Sequence, residues 1–165
     1  MAEYLLQSLD RTYLDQLMQL DLLCYGGHWG SQSYEEELDR TNTDVLGYLW
    51  GSDLVAFGIL WRVLEEAHLI SLAVHPDHRR QRLGSKLVAA LLAQAWRQGS
   101  EWATLEVRSS NEAAQALYQR CGFQLLGRRQ HYYQDPDEDA LIYWQKLAET
   151  ELPGSLVEPE SSYTF

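Results

Sequence analysis

The apolar positions change period several times along the chain, and each change marks an element. Residues 3–8 read as a short strand. Over 10–25 the apolar side chains fall at Tyr13, Leu14, Leu17, Leu20 and Cys24, a helical stripe broken by Gly26-Gly27-His28-Trp29-Gly30. A second helix should follow, with Ser31 or Ser33 as its cap and Glu35, Glu36 and Glu37 in its first turn, where the helix dipole favours anions. Residues 43–50 and 54–64 read as strands joined by Gly51-Ser52-Asp53, a hairpin-like turn. Glu65-Glu66 then turns the chain into an apolar run over 67–74.

Pro76 stops that run, because it has no N–H to give a ladder. From Leu83 the period becomes helical through Leu87, Ala90, Leu91 and Ala95, and Gly99 closes the helix. Residues 102–108 form a strand with Ala103, Leu105 and Val107 on one face and Thr104, Glu106 and Arg108 on the other. Asn111 caps a helix over 113–121 that Gly122 closes; strands over 123–133 and 140–147 flank a loop at 135–139. The order β-α-α-β-β-β-α-β-α-β-β predicts an α/β (α+β) fold, a mixed sheet with helices on both faces and no internal repeat.

The segment 72–88, LAVHPDHRRQRLGSKLV, runs from a strand through a basic turn into a helix. First-turn helix amides are unpaired donors at the positive end of the dipole. Gly84 would let a phosphate approach those amides, and Arg79, Arg80, Arg82 and Lys86 supply charge. The alternative is a solvated basic turn. No G-x-x-x-x-G-K-S/T phosphate loop occurs in the chain.

Composition narrows the partners. The chain has 165 residues and a net charge of −11, so that basic cluster stands out against an acidic body. Such a body disfavours nucleic acid and favours a cationic partner, while one basic spot suits a small polyphosphate. With 45% hydrophobic and 22% charged residues it is ordinary globular material, expected to form one domain over 1–147. Residues 148–165 carry four glutamates and no Lys or Arg, and read as a disordered acidic tail. No run approaches the roughly 20 apolar residues of a membrane span, and no signal pattern opens the chain. Cys24 and Cys121 have no metal-type partner at short spacing and read as reduced thiols of a cytoplasmic protein; no metal site is expected.

Two strings carry a family resemblance. V-x-P-x-x-R-x-x-x-x-G, from Val74 to Gly84, resembles the acyl-CoA pyrophosphate loop of the GNAT superfamily of N-acetyltransferases, with Arg82 where that loop has its first glycine. N-x-x-A-x-x-L-Y-x-x-x-G-F, from Asn111 to Phe123, is similar to the superfamily's second signature. Within it, L-A-V-x-P-D, T-L-E-V-R-x-S-N, A-L-Y and Y-Y resemble the bacterial enzymes that acetylate the N-terminal alanine of small-subunit ribosomal protein eighteen. The resemblance implies a mostly antiparallel sheet with two parallel strands splayed apart. It implies acetyl-CoA held by Leu72, Ala73, Val74, Arg79, Arg80, Gln81, Arg82, Leu83, Gly84, Ser85 and Asn111.

It further implies direct attack by an amine on the thioester, with Glu106 as base and Tyr118 as acid. The bland alternatives are a Glu106 paired with Arg108 on an exposed face, a core tyrosine, and an Asn111 that only caps. His28, Trp29, Tyr132 and Tyr133 would border the acceptor site, although Trp29 could instead anchor its loop. The implied partner is the basic N-terminal peptide of a ribosomal protein. An α-amine near pKa ~8 is about a tenth neutral at pH 7, whereas a lysine near ~10.4 asks far more of its base. Acetylation of another N-terminus, a lysine or a small amine stays open, as does a non-catalytic acetyl-CoA sensor.

Overall fold

A computed structural model of the chain describes residues 3–27 and 29–148. His28 and the tail from 149 to 165 lie outside the described residues, so the roles expected for them have no structural counterpart here.

Seven strands and four α-helices follow the expected order: β1 Tyr4–Ser8, α1 Leu14–Tyr25, α2 Ser31–Asp39, β2 Thr43–Trp50, β3 Asp53–Val63, β4 Glu66–Val74, α3 Leu83–Arg97, β5 Trp102–Arg108, α4 Glu112–Arg120, β6 Gln124–Tyr133 and β7 Glu138–Lys146. They form one sheet in the order β1-β2-β3-β4-β5-β7-β6. Every pairing is antiparallel except β4 with β5. Each face of the sheet carries its own core. On one side Leu83, Leu87, Leu91 and Ala95 of α3 pack on Leu60, Ala67, Leu69, Ala103 and Leu105. On the other, Leu17 and Leu20 of α1 and Tyr34 of α2 pack on Val45, Phe57, Ile59 and Ala73. The helical stripe of α3 and the alternation of β5 are both satisfied by this burial.

Local chemistry departs from expectation at several ends. Neither Ser31 nor Ser33 caps α2: Gly30 is its N-cap, and Ser31 is already helical. Glu35, Glu36 and Glu37 therefore fall beyond the first turn. Glu37 is buried, accepting hydrogen bonds from Trp61 Nε1 at 2.6 Å and from Thr43 Oγ1 and Arg40 at 3.3 Å. Leu64 belongs to the β3–β4 turn, at φ 53° and largely exposed, and β7 begins at Glu138 inside the expected loop.

The parallel seam decides the shape of the cleft. β4 and β5 pair only at Glu66–Trp102, Ala67–Ala103 and His68–Thr104. Beyond His68 the register of β4 against β3 slips, because Ile59 faces Ser71 while Leu60 faces Leu69, leaving Ile70 as an extra residue. Such a bulge bends its strand and increases its local twist. β4 thus leaves β5, which remains paired with β7 along its whole length. The strands open as a V.

Candidate functional site

Strand alternation sets what β4 offers to the open V. The Leu72 carbonyl accepts the Tyr25 hydroxyl, and the Val74 carbonyl accepts Arg79 Nε at 3.2 Å and Cys24 Sγ at 3.5 Å. Both carbonyls therefore face the V, and alternation turns the backbone groups of Ala73 to β3, with its side chain in the second core. Of the three residues expected to offer backbone to the cofactor, Leu72 and Val74 turn their carbonyls away from β3 and Ala73 turns its own toward it. Burial pushes the Tyr25 phenol up to about 12, so it stays neutral and donates.

The basic turn leads from β4 into an uncapped helix. Arg82 is the N-cap of α3 at φ 61°, ψ 20°, and its side chain makes no capping hydrogen bond. The first helical bond is Lys86 N to Arg82 O at 3.0 Å, leaving the amides of Leu83, Gly84 and Ser85 as donors. Arg79, Arg80, Gln81 and Arg82 are exposed around them, with Arg80 also at positive φ, 62°. This donor set matches a pyrophosphate: oriented N–H groups, a positive helix end and guanidinium groups. Gly84 has a packing role as well. A Cβ there would meet Leu117 Cδ1 at 2.9 Å, so its smallness lets α3 approach α4, on the protein side of the loop. Asn111 caps α4, its side-chain oxygen accepting Ala114 N at 3.1 Å.

Across the V, Glu106 projects from the part of β5 that β4 has left. Its partner is not Arg108 but His68, with Nε2 2.5 Å from Glu106 Oε2. That bond holds the Glu106 carboxyl below the usual carboxylate value, aided by His68 and Arg129 charge and opposed by burial. Arg108 instead reaches Glu138 at 3.4 Å and lies 4.2 Å over the Tyr133 ring. Glu138 also accepts from Ser110 N at 2.7 Å and Ser109 Oγ at 3.2 Å, tying β7 to the turn before α4.

Tyr118 is half-buried against Phe123, ring centroids 6.0 Å apart. Burial drives its phenol well above the ordinary value, and Tyr25, Cys121 and Tyr133 push the same way. Tyr133 is pushed up to about 12, by burial first and then by Tyr132 and Glu106. Tyr133 thus lies within electrostatic reach of both Glu106 and Tyr118. Tyr132 stands edge-on to it at 5.0 Å and is more exposed. Trp29 packs its ring on Tyr34 at 5.3 Å, and its backbone N–H donates to the buried Asp21 at 3.0 Å, so ring and backbone together anchor the loop to the second core.

Sequence reasoning missed His68, Tyr25 and Asp21. His68 shares its strand face with Glu66, a polar pair at the start of a largely apolar run, but its meeting with Glu106 depends on the β4–β5 register. No group of three or more His, Cys, Asp or Glu among the described residues could hold a metal, and no helix of theirs is long and apolar enough to cross a membrane.

A splayed parallel pair, a basic turn leading into a helix with free first-turn amides, and an ionised carboxylate beside the opening point to a class of acyl-CoA-dependent enzymes. The chain belongs to the Acetyltransferase (GNAT) family, whose model matches residues 14–123. It is an N-acetyltransferase using acetyl-CoA as acetyl donor. A Bacillus subtilis (strain 168) protein, provisionally named a [ribosomal protein bS18]-alanine N-acetyltransferase, is 31% identical over 137 residues, 82% of this chain and 91% of its own. The crystal structure of the ribosomal-protein-S18-alanine N-acetyltransferase from Escherichia coli superposes with a TM-score of 0.82 at 30% identity, covering 90% of this chain and 97% of that one. Arabidopsis thaliana NAA60, solved in complex with acetyl-CoA, shares the fold at 14% identity, with a TM-score of 0.80 over 87% of this chain and 98% of that one.

Proposed function

We propose that this chain acetylates the N-terminal α-amine of alanine at the start of a ribosomal protein, the small-subunit protein on which its named relatives act, and so works in the cytoplasm. Glu106 is the base, and Tyr118 the acid. The observation that carries the reading is a carboxylate held ionised by His68 where β4 has left β5, with Tyr133 in electrostatic reach of both that carboxylate and the neutral, half-buried phenol of Tyr118.

An ammonium must lose two protons to become an amide. Glu106 takes the first, freeing the lone pair that attacks the thioester carbonyl. The C–N bond forms and the C–S bond breaks. Tyr118 protonates the departing thiolate, the second proton from nitrogen restores its phenol, and Glu106 returns the first to solvent. The raised phenol is a weaker acid than a free tyrosine, and the same burial that disfavours its phenolate also disfavours the thiolate, which keeps the transfer within reach. The cofactor would lie along Leu72 and Val74, its pyrophosphate on the amides of Leu83, Gly84 and Ser85 between Arg79, Arg80, Gln81 and Arg82, with Asn111 near its arm. Tyr132 and Tyr133 would close the acceptor side. The net charge of −11 favours a basic peptide.

Turnover of acetyl-CoA with alanine-started basic peptides, followed by mass mapping, tests the acceptor. Acetate on lysine or a polyamine would replace the substrate; tight acetyl-CoA binding without any turnover would make the chain a sensor. Glu106→Gln should lower kcat by about a hundredfold or more with acetyl-CoA affinity within roughly twofold of native. Equal losses in both would remove Glu106 as base.

A further inference from the structure

We propose that His68 is the positioning residue of the catalytic base: its Nε2–H grips one Glu106 oxygen across the open seam and turns the other toward the acceptor amine. The inference rests on the reading of Glu106 as the base and adds to it what sets that base's place and charge.

The donor logic is simple. An ionised carboxylate only accepts, so at 2.5 Å the hydrogen between Nε2 and Oε2 belongs to the imidazole. The location gives the bond its use. His68 stands on the last rung of the parallel seam, opposite Thr104, whereas Glu106 lies two residues further along β5, where β4 has already departed. The side-chain bond spans the beginning of the V as one more rung. The position of the carboxylate is thereby tied to how far the V opens.

His68 is itself held from behind. Its ring meets Trp61 edge-on at 6.3 Å, from the facing register position on β3. Trp61 donates Nε1–H to the buried Glu37 of α2 at 2.6 Å, and Arg40 lies 5.6 Å over its ring. Four side chains from α2, β3, β4 and β5 thus run in series, Glu37 to Trp61 to His68 to Glu106. A group locked by packing and by outer hydrogen bonds keeps the geometry that proton transfer needs.

The other charges near the pair are accounted for. Arg129 of β6 favours the ionised Glu106, while Tyr133 of β6 is neutral. Glu66 on the same face of β4 accepts the Thr104 hydroxyl at 2.8 Å, and Arg108 is held by Glu138. Glu37 and Arg40 pair with each other behind Trp61. Removing His68 leaves burial, which raises the Glu106 carboxyl, opposed mainly by Arg129.

The test reads Glu106 directly and turnover separately. Carboxyl-¹³C-labelled glutamate is titrated in the native chain, in His68→Ala and in His68→Gln, with Glu106→Gln identifying the resonance. In the native chain Glu106 should titrate below its ordinary value of 4.5. In His68→Ala it should titrate above that value, with His68→Gln, which keeps an N–H donor, in between. The acid limb of kcat/KM for the acceptor peptide should move with it. In His68→Ala kcat should fall about tenfold or more with the acetyl-CoA KM little changed, and His68→Gln should recover much of the loss. An unmoved Glu106 titration in His68→Ala overturns the proposal, as does a moved titration with native turnover. Native turnover in Glu106→Gln would instead strike the reading of Glu106 as base, whatever His68 does to its titration.

Discussion

Arg82 occupies a backbone conformation that glycine adopts freely and arginine does not. At φ 61°, ψ 20° its Cβ crowds the following carbonyl, which costs an L-residue about 1–2 kcal/mol. Replacing it by glycine removes that strain but adds unfolded-state freedom worth about 0.5–1 kcal/mol. It also removes an exposed charge beside the first-turn amides. Arg82→Ala removes the same charge and keeps the strain, so the two variants differ only in backbone. The glycine variant should be more stable than the alanine variant by about 0.5–1 kcal/mol, which is about 1–4 °C in Tm for a chain this size. Both should weaken acetyl-CoA alike, by about twofold, since an exposed and screened charge contributes about 0.5 kcal/mol. Thermal melts in the absence of ligand and acetyl-CoA titrations of all three proteins give the comparison. An alanine variant as stable as the glycine variant would refute the strain argument. An unequal loss of acetyl-CoA affinity would show that the backbone, more than the charge, sets the phosphate site.

Two further outcomes follow from the same structure. Tyr118→Phe keeps the ring against Phe123 and removes only the hydroxyl, so kcat should fall about ten- to a hundredfold with Tm nearly unchanged; equal kcat would dismiss Tyr118 as acid. The second concerns acid. Hydrogen bonds hold Glu106 and Glu138 below 4.5 and Asp39 and Asp139 below 3.8 in the folded chain. A carboxyl depressed by folding stabilises above its unfolded value and loses that contribution as pH falls through the folded one. Asp44, raised by burial despite Arg62 and Gln94, works in the opposite sense. With four carboxyls against one, Tm should decline steadily below about pH 4.5, while exposed His131, raised by its hydrogen bond to Asp137, adds only a slight decline as pH rises above about 6.5. A Tm maintained down to about pH 3 would contradict it.

Much of this was legible from residue order because burial and capping are local matters. The 3.6 period of α3, the alternation of β5 and the closing glycines at 99 and 122, both at positive φ, each need only neighbours in the chain. The α2 cap failed for a local reason as well: Gly30 takes that place although two serines compete for it. What stayed hidden depends on partners far along the chain. Nothing near Ile70 signals that it will be the extra residue, because a bulge is defined only by the strand opposite. Ala73 read like Leu72 and Val74 until β3 fixed which way its backbone faces. His68 could not be joined to Glu106 without the seam, and the insertion of β7 between β5 and β6 is a matter of topology alone. The resemblance to known motifs brought out Glu106 and Tyr118, which periodicity would have left as a strand-face acid and a packed ring.

A sheet joined at its middle by three residue pairs is two half-sheets with a short common border. Around it the halves are tied by the β3–β4 turn, where Glu65 O accepts Glu101 N at 2.7 Å, and by the close approach of α3 and α4 at Gly84. A donor molecule lying along the open part of that border would act as mortar between the halves, since its amides would meet backbone groups of β4 that β5 no longer pairs. Its binding energy then counts toward holding the protein together: at a hundred times its Kd a ligand of the folded state adds about 2.7 kcal/mol. The supply of acetyl-CoA would then govern how long the folded enzyme survives as well as how fast it works.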